Sequence, residues 1–214
     1  MSNVKRKKPK DRVQWLELRN KGIGSSDAAA ITGASSWKTA NELWLEKTGQ
    51  KQAGDLSDNE FVRKGVRLEP AIREVYKAMH PNRKVTYHQF DLLYLPEHPY
   101  IFATLDGETK DNSGRMGCLE IKTSTPVSRA EWDKWDERIP DGYFHQCLHE
   151  MLATGYEFVD LFAFLFKQDG DFIAREYHFE RSDHEGDLAW LLEKEEAFWQ
   201  SVQNKTLPPM TLII

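Results

Sequence analysis

Apolar positions recur along this chain with two periods, about 3.6 and 2, and the changes between them divide it into elements. Asp11 stands before a helical run through Trp15, Leu16 and Leu18 to Arg19, with Gly22 as its stop. In G-I-G-S-S-D-A-A-A-I-T-G, Ser25 or Ser26 is placed to cap a short helix over residues 27–32. Thr39 and Glu42 make a capping box for a helix carrying Leu43, Trp44 and Leu45, which Gly49 ends. Residues 50–58 read as a polar loop. Leu68, Ile72, Val75 or Tyr76, and Met79 then form a helical stripe that stops before Pro81. Pro70 leaves open whether residues 61–66 belong to the same helix.

The second half of the chain mixes strands with helices. Residues 85–95 contain a strand. Two apolar runs, 100–105 and 116–121, flank a Gly/Asp/Asn/Ser-rich turn, the pattern of a hairpin or of two neighbouring strands, with Asp106 closing the first. Residues 143–154 form a helix with Phe144, Cys147, Leu148, Met151 and Leu152 on its buried face and Gln146 opposite. Phe158–Phe166 is almost continuously apolar, as in a strand covered on both faces, and Asp169-Gly170 turns it into a strand over 172–179. Ser182 and Glu185 form another capping box, for a long helix lined by Leu188, Leu191, Leu192, Glu195, Phe198, Trp199 and Val202 that Pro208 and Pro209 end. The mixture predicts an α/β fold, a central mixed sheet flanked by helices.

Composition narrows the functional classes. At 214 residues the chain suits one domain, here residues 11–214, behind a flexible basic arm over residues 1–10. No apolar run approaches the ~20 residues needed to span a bilayer, and the basic N-terminus lacks a signal peptide's apolar stretch, so a cytoplasmic site is expected. Cys118 and Cys147 alone suggest no disulfide framework, and two cysteines cannot ligate a Cys₄ iron–sulfur cluster. The net charge is −5, although Lys5, Arg6, Lys7, Lys8 and Lys10 crowd the first ten residues. Any contact with polyphosphate must therefore be concentrated in a channel or an arm. A basic tail is also commonly just a solubilising segment.

Strand alternation puts Glu120 and Lys122 on one face and Leu119 and Ile121 on the other, so Asp106, Glu120 and Lys122 can converge at one sheet edge. Paired carboxylates at a strand end suit a hard cation such as Mg²⁺, and a lysine beside them can hold or help deprotonate an attacking water. E-x-K alone is also the pattern of a solvated sheet face; the apolar bracket and the upstream aspartate argue for a site. The start of the 27–32 helix offers free N–H groups to an anion, a phosphate seat or simply a capped turn. Trp37 and Lys38 could stack on a base and pair with phosphate, but packing of the aromatic against the next helix is the expectation. His145 and His149, four apart, have a zinc-binding spacing; no third ligand accompanies them, and Gln146 stands where a zinc protease has its glutamate.

D-x13-E-x-K resembles the PD-(D/E)XK nuclease signature, with Leu105 where that family often has proline. W-L-E-L-R-N-K-G-I-G-S-S-D (15–27), G-V-R-L-E-P (65–70) and F-H-Q-C-L-H-E-M-L-A-T-G (144–155) resemble, in order, the other blocks of the phage-type alkaline exonucleases, the YqaJ group related to phage lambda exonuclease. The resemblance implies a restriction-endonuclease-like core. It implies Mg²⁺, two ions, with Mn²⁺ as a substitute, held by Asp106, Glu120, the Ile121 carbonyl and Glu69, while Lys122 and Gln146 position or activate the water. Arg19 and Ser26, four and eleven residues after Trp15, match residues that recognise a 5′-phosphate; Thr104 stands where a relative has another such serine, and Ser25 adjoins. The implied activity is 5′→3′ digestion of duplex DNA ends to 5′-mononucleotides, leaving a 3′ single strand. A homotrimeric ring, a single-strand annealing partner and a phage or prophage origin in a bacterial host are implied too. Two rivals are a catalytically silent DNA-end-binding module and a structure-specific endonuclease of the same fold.

Overall fold

In the computed structural model, which describes residues 3–52, 54, 59–136 and 138–208, the chain starts as strand β1 (Lys5–Lys7). Asp11 accepts from Gln14 N to cap α1 (Arg12–Arg19). Strand β2 (Ile23–Gly24) passes through a 3₁₀ turn (Ser25–Asp27) into α2 (Ala28–Thr32). The Thr39–Glu42 capping box opens α3 (Ala40–Lys47), and Asn59 caps α4 (Glu60–Met79). Then come β3 (Lys84–Thr86), β4 (Leu92–Tyr94), β5 (Ile101–Phe102), β6 (Gly107–Lys110) and β7 (Met116–Ser124). Helices α5 (Arg129–Asp133) and α6 (Asp141–Thr154) lead to β8 (Phe158–Phe166), β9 (Phe172–Glu180) and α7 (Glu185–Asn204).

The main sheet runs β3-β6-β7-β8-β9. Only β7 and β8 are parallel in it, joined through α6, and the other pairs are antiparallel. Alternation on the two central strands feeds two cores. Leu119, Ile121, Phe162 and Phe164 meet Ile72 and Tyr76 of α4 on one face. Cys118, Val159, Leu161 and Ala163 meet Cys147, Leu148 and Met151 of α6 on the other. Burying a side chain such as Phe162 contributes ~2–3 kcal/mol. This is the expected mixed sheet flanked by helices.

Several local expectations are corrected. The hairpin that carries Asp106 pairs β7 with residues 107–110, not with 100–105. The run before Asp106 instead contributes β5, parallel to β2. The polar segment G-E-T-K hides a buried strand because Glu108 finds internal partners, Arg6 and the Tyr156 hydroxyl. Residues 85–95 are two strands, in separate sheets, divided where Phe90 takes φ 67°. Pro70 lies within a continuous α4, so residues 61–66 do belong to it. Neither Ser25 nor Ser26 caps α2; the Asp27 carboxylate accepts from Gly24 N instead. A 3₁₀ turn over Arg181–His184 displaces the capping box expected at Ser182, and α7 begins at Glu185. From Cys147 to Met151, α6 is buried on every side, because α2, α7 and the sheet surround it.

The arm expected to be flexible is a strand from Lys5 to Lys7, antiparallel to β4. Alternation sends Arg6 inward to Asp91 (2.8 Å) and Glu108 (2.5 Å). Trp37 does not pack on α3; it is 91% exposed. Parts of the 50–58 loop, the first two residues of the arm and Pro209 lie outside the described residues.

Candidate active site

The antiparallel register pairs Gly107 with Leu119, which carries Asp106 to the level of Glu120 where the two strands part. Asp106 Oδ2 accepts from Ile121 N at 2.8 Å, so the carboxylate is pinned across the mouth of the hairpin. Glu120, 2% exposed, receives the Lys122 ammonium on Oε1 at 2.6 Å. From α6, Gln146 donates Nε2 to the same oxygen at 2.6 Å and accepts Lys122 Nζ on Oε1 at 2.8 Å. A flipped amide would oppose oxygen to carboxylate and nitrogen to ammonium, so these three groups hold one another in one orientation.

Helix α4 brings Glu69 to the opposite side. It can approach because Gly65 has no side chain; a Cβ there would lie 3.1 Å from Thr123 Oγ1 at the end of β7. Arg73, one helical turn after Glu69, grips its carboxylate and donates Nε to the Asp106 carbonyl at 2.5 Å. The Arg73 guanidinium also lies 3.7 Å from the Tyr87 ring centroid. Asp106, Glu120, Lys122, Gln146 and Glu69 are thus brought together.

Burial, then repulsion from Glu120 and Glu69, push the Asp106 carboxyl well above the usual carboxylate range. Burial raises Glu69 as well, with Arg73 opposing and Glu120 adding to the rise. Glu150, one turn beyond Gln146 and fully buried, is raised well above normal by burial and by Glu120. For Lys122 burial works against the charge, but attraction by Glu120 and Asp106 outweighs it and the ammonium is stabilised. An ammonium so stabilised donates hydrogen bonds rather than accepting a proton.

A family of this kind implies a divalent cation, and the donor set fits one. Among the described residues no three His, Cys, Asp or Glu side chains stand close enough to enclose an ion. Mg²⁺ does not need such a cage, since it is held by one or two carboxylates and keeps several waters. Crowded carboxyls that hold protons for want of a positive charge are what such an ion would relieve.

Protons held on the raised carboxyls compete with the cation, so cation affinity should increase as pH rises through their raised values, and Mg²⁺ uptake should release protons. Without the ion, the folded chain binds more protons than the unfolded one above the ordinary carboxylate range, so its stability should fall as pH rises through the raised values. Calorimetric Mg²⁺ titrations in two buffers of different ionisation enthalpy check this; buffer-independent heats would contradict it.

The second constellation lies on α1 and the turn after β2. Arg19 donates to Ser26 Oγ at 2.7 Å and stacks 4.7 Å from the Trp15 ring centroid. Trp15 Nε1 donates to Thr104 Oγ1 at 2.9 Å. Arg19, Ser26 and Thr104 are therefore tied together through Trp15. Ser25 is buried, and its hydroxyl has no hydrogen-bond partner among the described residues. Asp27 is buried against Lys47, whose Nζ is 2.8 Å from Oδ2.

Sequence reasoning missed Arg73, Tyr87, Glu150, Asp27 and Lys47. Arg73 and Glu150 each stand four residues after a residue it did select, the helical spacing that makes neighbours. The histidine pair binds elsewhere: His145 Nδ1 meets Thr32 Oγ1, while His149 meets Glu195 and the Phe102 carbonyl.

The family model for the YqaJ-like viral recombinase domain matches residues 14–157. The protein YqaJ of Bacillus subtilis (strain 168) is 34% identical over 188 residues, which cover 88% of this chain and 55% of that protein. The chain thus spans about half the length of this curated relative. An alkaline exonuclease of Laribacter hongkongensis, LHK-Exo, has a similar structure, with TM-score 0.66, 19% identity, and 90% of this chain and 93% of that chain covered. Its complex with dAMP matches equally, at TM-score 0.66. At that identity the likeness shows a shared fold.

Proposed function

This chain belongs to the YqaJ-like viral recombinase domain family, and from that premise we propose that it is a Mg²⁺-dependent deoxyribonuclease digesting duplex DNA from 5′ ends, releasing 5′-mononucleotides. The observation that carries the nuclease reading is the interlocked Glu120–Lys122–Gln146 group beside Asp106. A lone solvated E-x-K strand would not bury its glutamate to 2% exposure. Asp106, Glu120 and the Ile121 carbonyl would hold the cation, with Glu69 reaching it through the waters that Mg²⁺ keeps, and Mn²⁺ would be a substitute. When bound there, the cation would supply Lewis-acid charge to the phosphoryl group and to the attacking and leaving oxygens. The Lys122 ammonium orients the water and offsets charge building on phosphorus-bound oxygen, and Gln146 keeps that ammonium aimed. Breaking the bond to the 3′ oxygen leaves phosphate on the 5′ carbon of the product.

Direction comes from the second constellation. Thr104 is two residues before Asp106, so their backbones lie at most ~7 Å apart along the chain, about one nucleotide. A terminal 5′-phosphate held by Arg19, Ser26, Thr104 and Ser25 would place the next phosphodiester near the carboxylates. That spacing favours an exonuclease over an endonuclease of the same fold. The homotrimeric ring, a single-strand annealing partner, and work in the cytoplasm of a phage-infected or lysogenic bacterium complete the proposal, on family grounds. Among the described residues no helix is long and apolar enough to cross a membrane.

The test uses linear duplexes with 5′-phosphate or 5′-hydroxyl ends and a closed circle, each with Mg²⁺ or EDTA. Faster loss of phosphorylated ends in Mg²⁺ is expected. Cutting of the circle would favour the endonuclease, and no digestion the silent end-binding module. Arg19→Ala should erase the preference for phosphorylated ends, about a tenfold change or more for one charge-assisted contact. Normal discrimination by that variant would misplace the seat.

A further inference from the structure

Lys47 ends α3, yet its side chain is only 5% exposed. A lysine at a helix end ordinarily extends its ammonium into water. This one turns inward, 2.8 Å from Asp27 Oδ2, and donates to the Arg19 carbonyl at 2.9 Å. The same Asp27 oxygen accepts from Gly24 N at 3.0 Å. Gly24 in turn bears the Arg19 guanidinium against its backbone: a Cβ there would fall 3.2 Å from one terminal nitrogen of Arg19. One ammonium therefore ties α3 to the end of α1 and to the turn carrying Ser26.

Charge makes this contact more than a brace. Burial acts to raise the Asp27 carboxyl, but attraction by Lys47 first and Arg19 second, with hydrogen bonds from Lys47 and Gly24, holds it down to about 2. Asp27 is thus an anion within the field of both cations. Two positive charges against one negative leave one for a ligand, and Lys47 is the cation in contact with the carboxylate. Without Lys47, the buried carboxylate would keep the Gly24 N–H and have Arg19 as its remaining named cation, and that guanidinium would be drawn from Ser26 toward Asp27.

We propose that Lys47 is the positioning residue of the 5′-phosphate seat: it neutralises Asp27 so that the Arg19 guanidinium stays on Ser26 with its charge available to a terminal phosphate. The inference rests on the reading of Arg19 and Ser26 as that seat. It makes a prediction that a merely structural lysine would not, because deleting the anion should undo the harm of deleting the cation.

The experiment measures binding of 5′-phosphoryl and 5′-hydroxyl duplex ends to the full chain in EDTA by fluorescence anisotropy, and the ratio of digestion rates on the two ends in Mg²⁺. Lys47→Met should lower the preference for phosphate about tenfold or more. The double variant Lys47→Met/Asp27→Asn should recover most of it. Asp27→Asn alone, which leaves both cations unopposed, should bind phosphorylated ends more tightly than wild type; it keeps the test decisive if Lys47→Met does not fold. Unaltered discrimination by Lys47→Met overturns the inference, as does a folded double variant no better than the single one, or weaker phosphate binding by Asp27→Asn. Wild-type protein that ignores the 5′-phosphate overturns the seat itself and is thereby told apart from failure of Lys47 alone.

Discussion

Lys122→Ala should lower the rate of duplex digestion by about 10²–10³-fold, the usual loss when one preorganised charge facing the reacting group is removed. Among the described residues the ammonium is the one positive group that bonds both Glu120 and Gln146, at 2.6 and 2.8 Å. Removing it leaves the Gln146 carbonyl oxygen unsatisfied and the Glu120 carboxylate uncompensated, so the amide loses its reason to keep one orientation. DNA binding should survive largely intact, because the residues proposed to seat the phosphate, Arg19, Ser26 and Thr104, share no hydrogen bond with Lys122 among the described residues. Single-turnover digestion with saturating enzyme separates the two effects. Wild-type turnover in this variant would remove Lys122 from the mechanism.

Glu195→Ala should destabilise the fold by about 3–5 kcal/mol, the cost of stranding a buried charge by deleting its partner. His149 and Glu195 are both 0% exposed and meet at 2.6 Å, while the other ring nitrogen of His149 faces the Phe102 carbonyl at 3.0 Å. Both neighbours are acceptors, so both ring nitrogens must donate and the imidazole is charged. Burial acts to lower the His149 pKa, but Glu195 and the Phe102 carbonyl outweigh it and raise it above the ordinary histidine value. A raised folded value means that this pair's stabilisation is fully present below the unfolded histidine value and is lost as pH rises through the folded one. Urea unfolding of wild type and Glu195→Ala across neutral and alkaline pH checks both statements. A gap between them that does not narrow with rising pH would show that the pair is not held by charge. Because His149 lies on α6 three residues after Gln146, the same pair anchors the helix that delivers the glutamine.

What was legible along the chain was whatever depends on near neighbours. The capped start of α1, the capping box of α3, the doubly buried β8 and the apolar line of α7 are periodic or capping patterns, set by bonds a few residues long. The ordered blocks around Arg19, Glu69, Glu120 and Gln146 pointed to the family; Glu69, Glu120 and Gln146 converge, while Arg19 meets Ser26 and Trp15 in a second group. The first strand of the hairpin was misread for the converse reason. Gly107–Lys110 is polar, and only Arg6, 102 positions away in the chain, and Tyr156, 48 away, make a buried Glu108 tolerable.

Sequence alone therefore determined the alternation that aims Glu120 and Lys122 together, and the order of the blocks that carry the site. Tertiary structure decided which strand Asp106 opens, that Arg73 and Glu150 join the carboxylates, and that Lys47 turns inward to Asp27. Those choices rest on pairing charges and hydrogen bonds between distant segments, and a polar residue's sequence neighbours do not reveal where its partner will be.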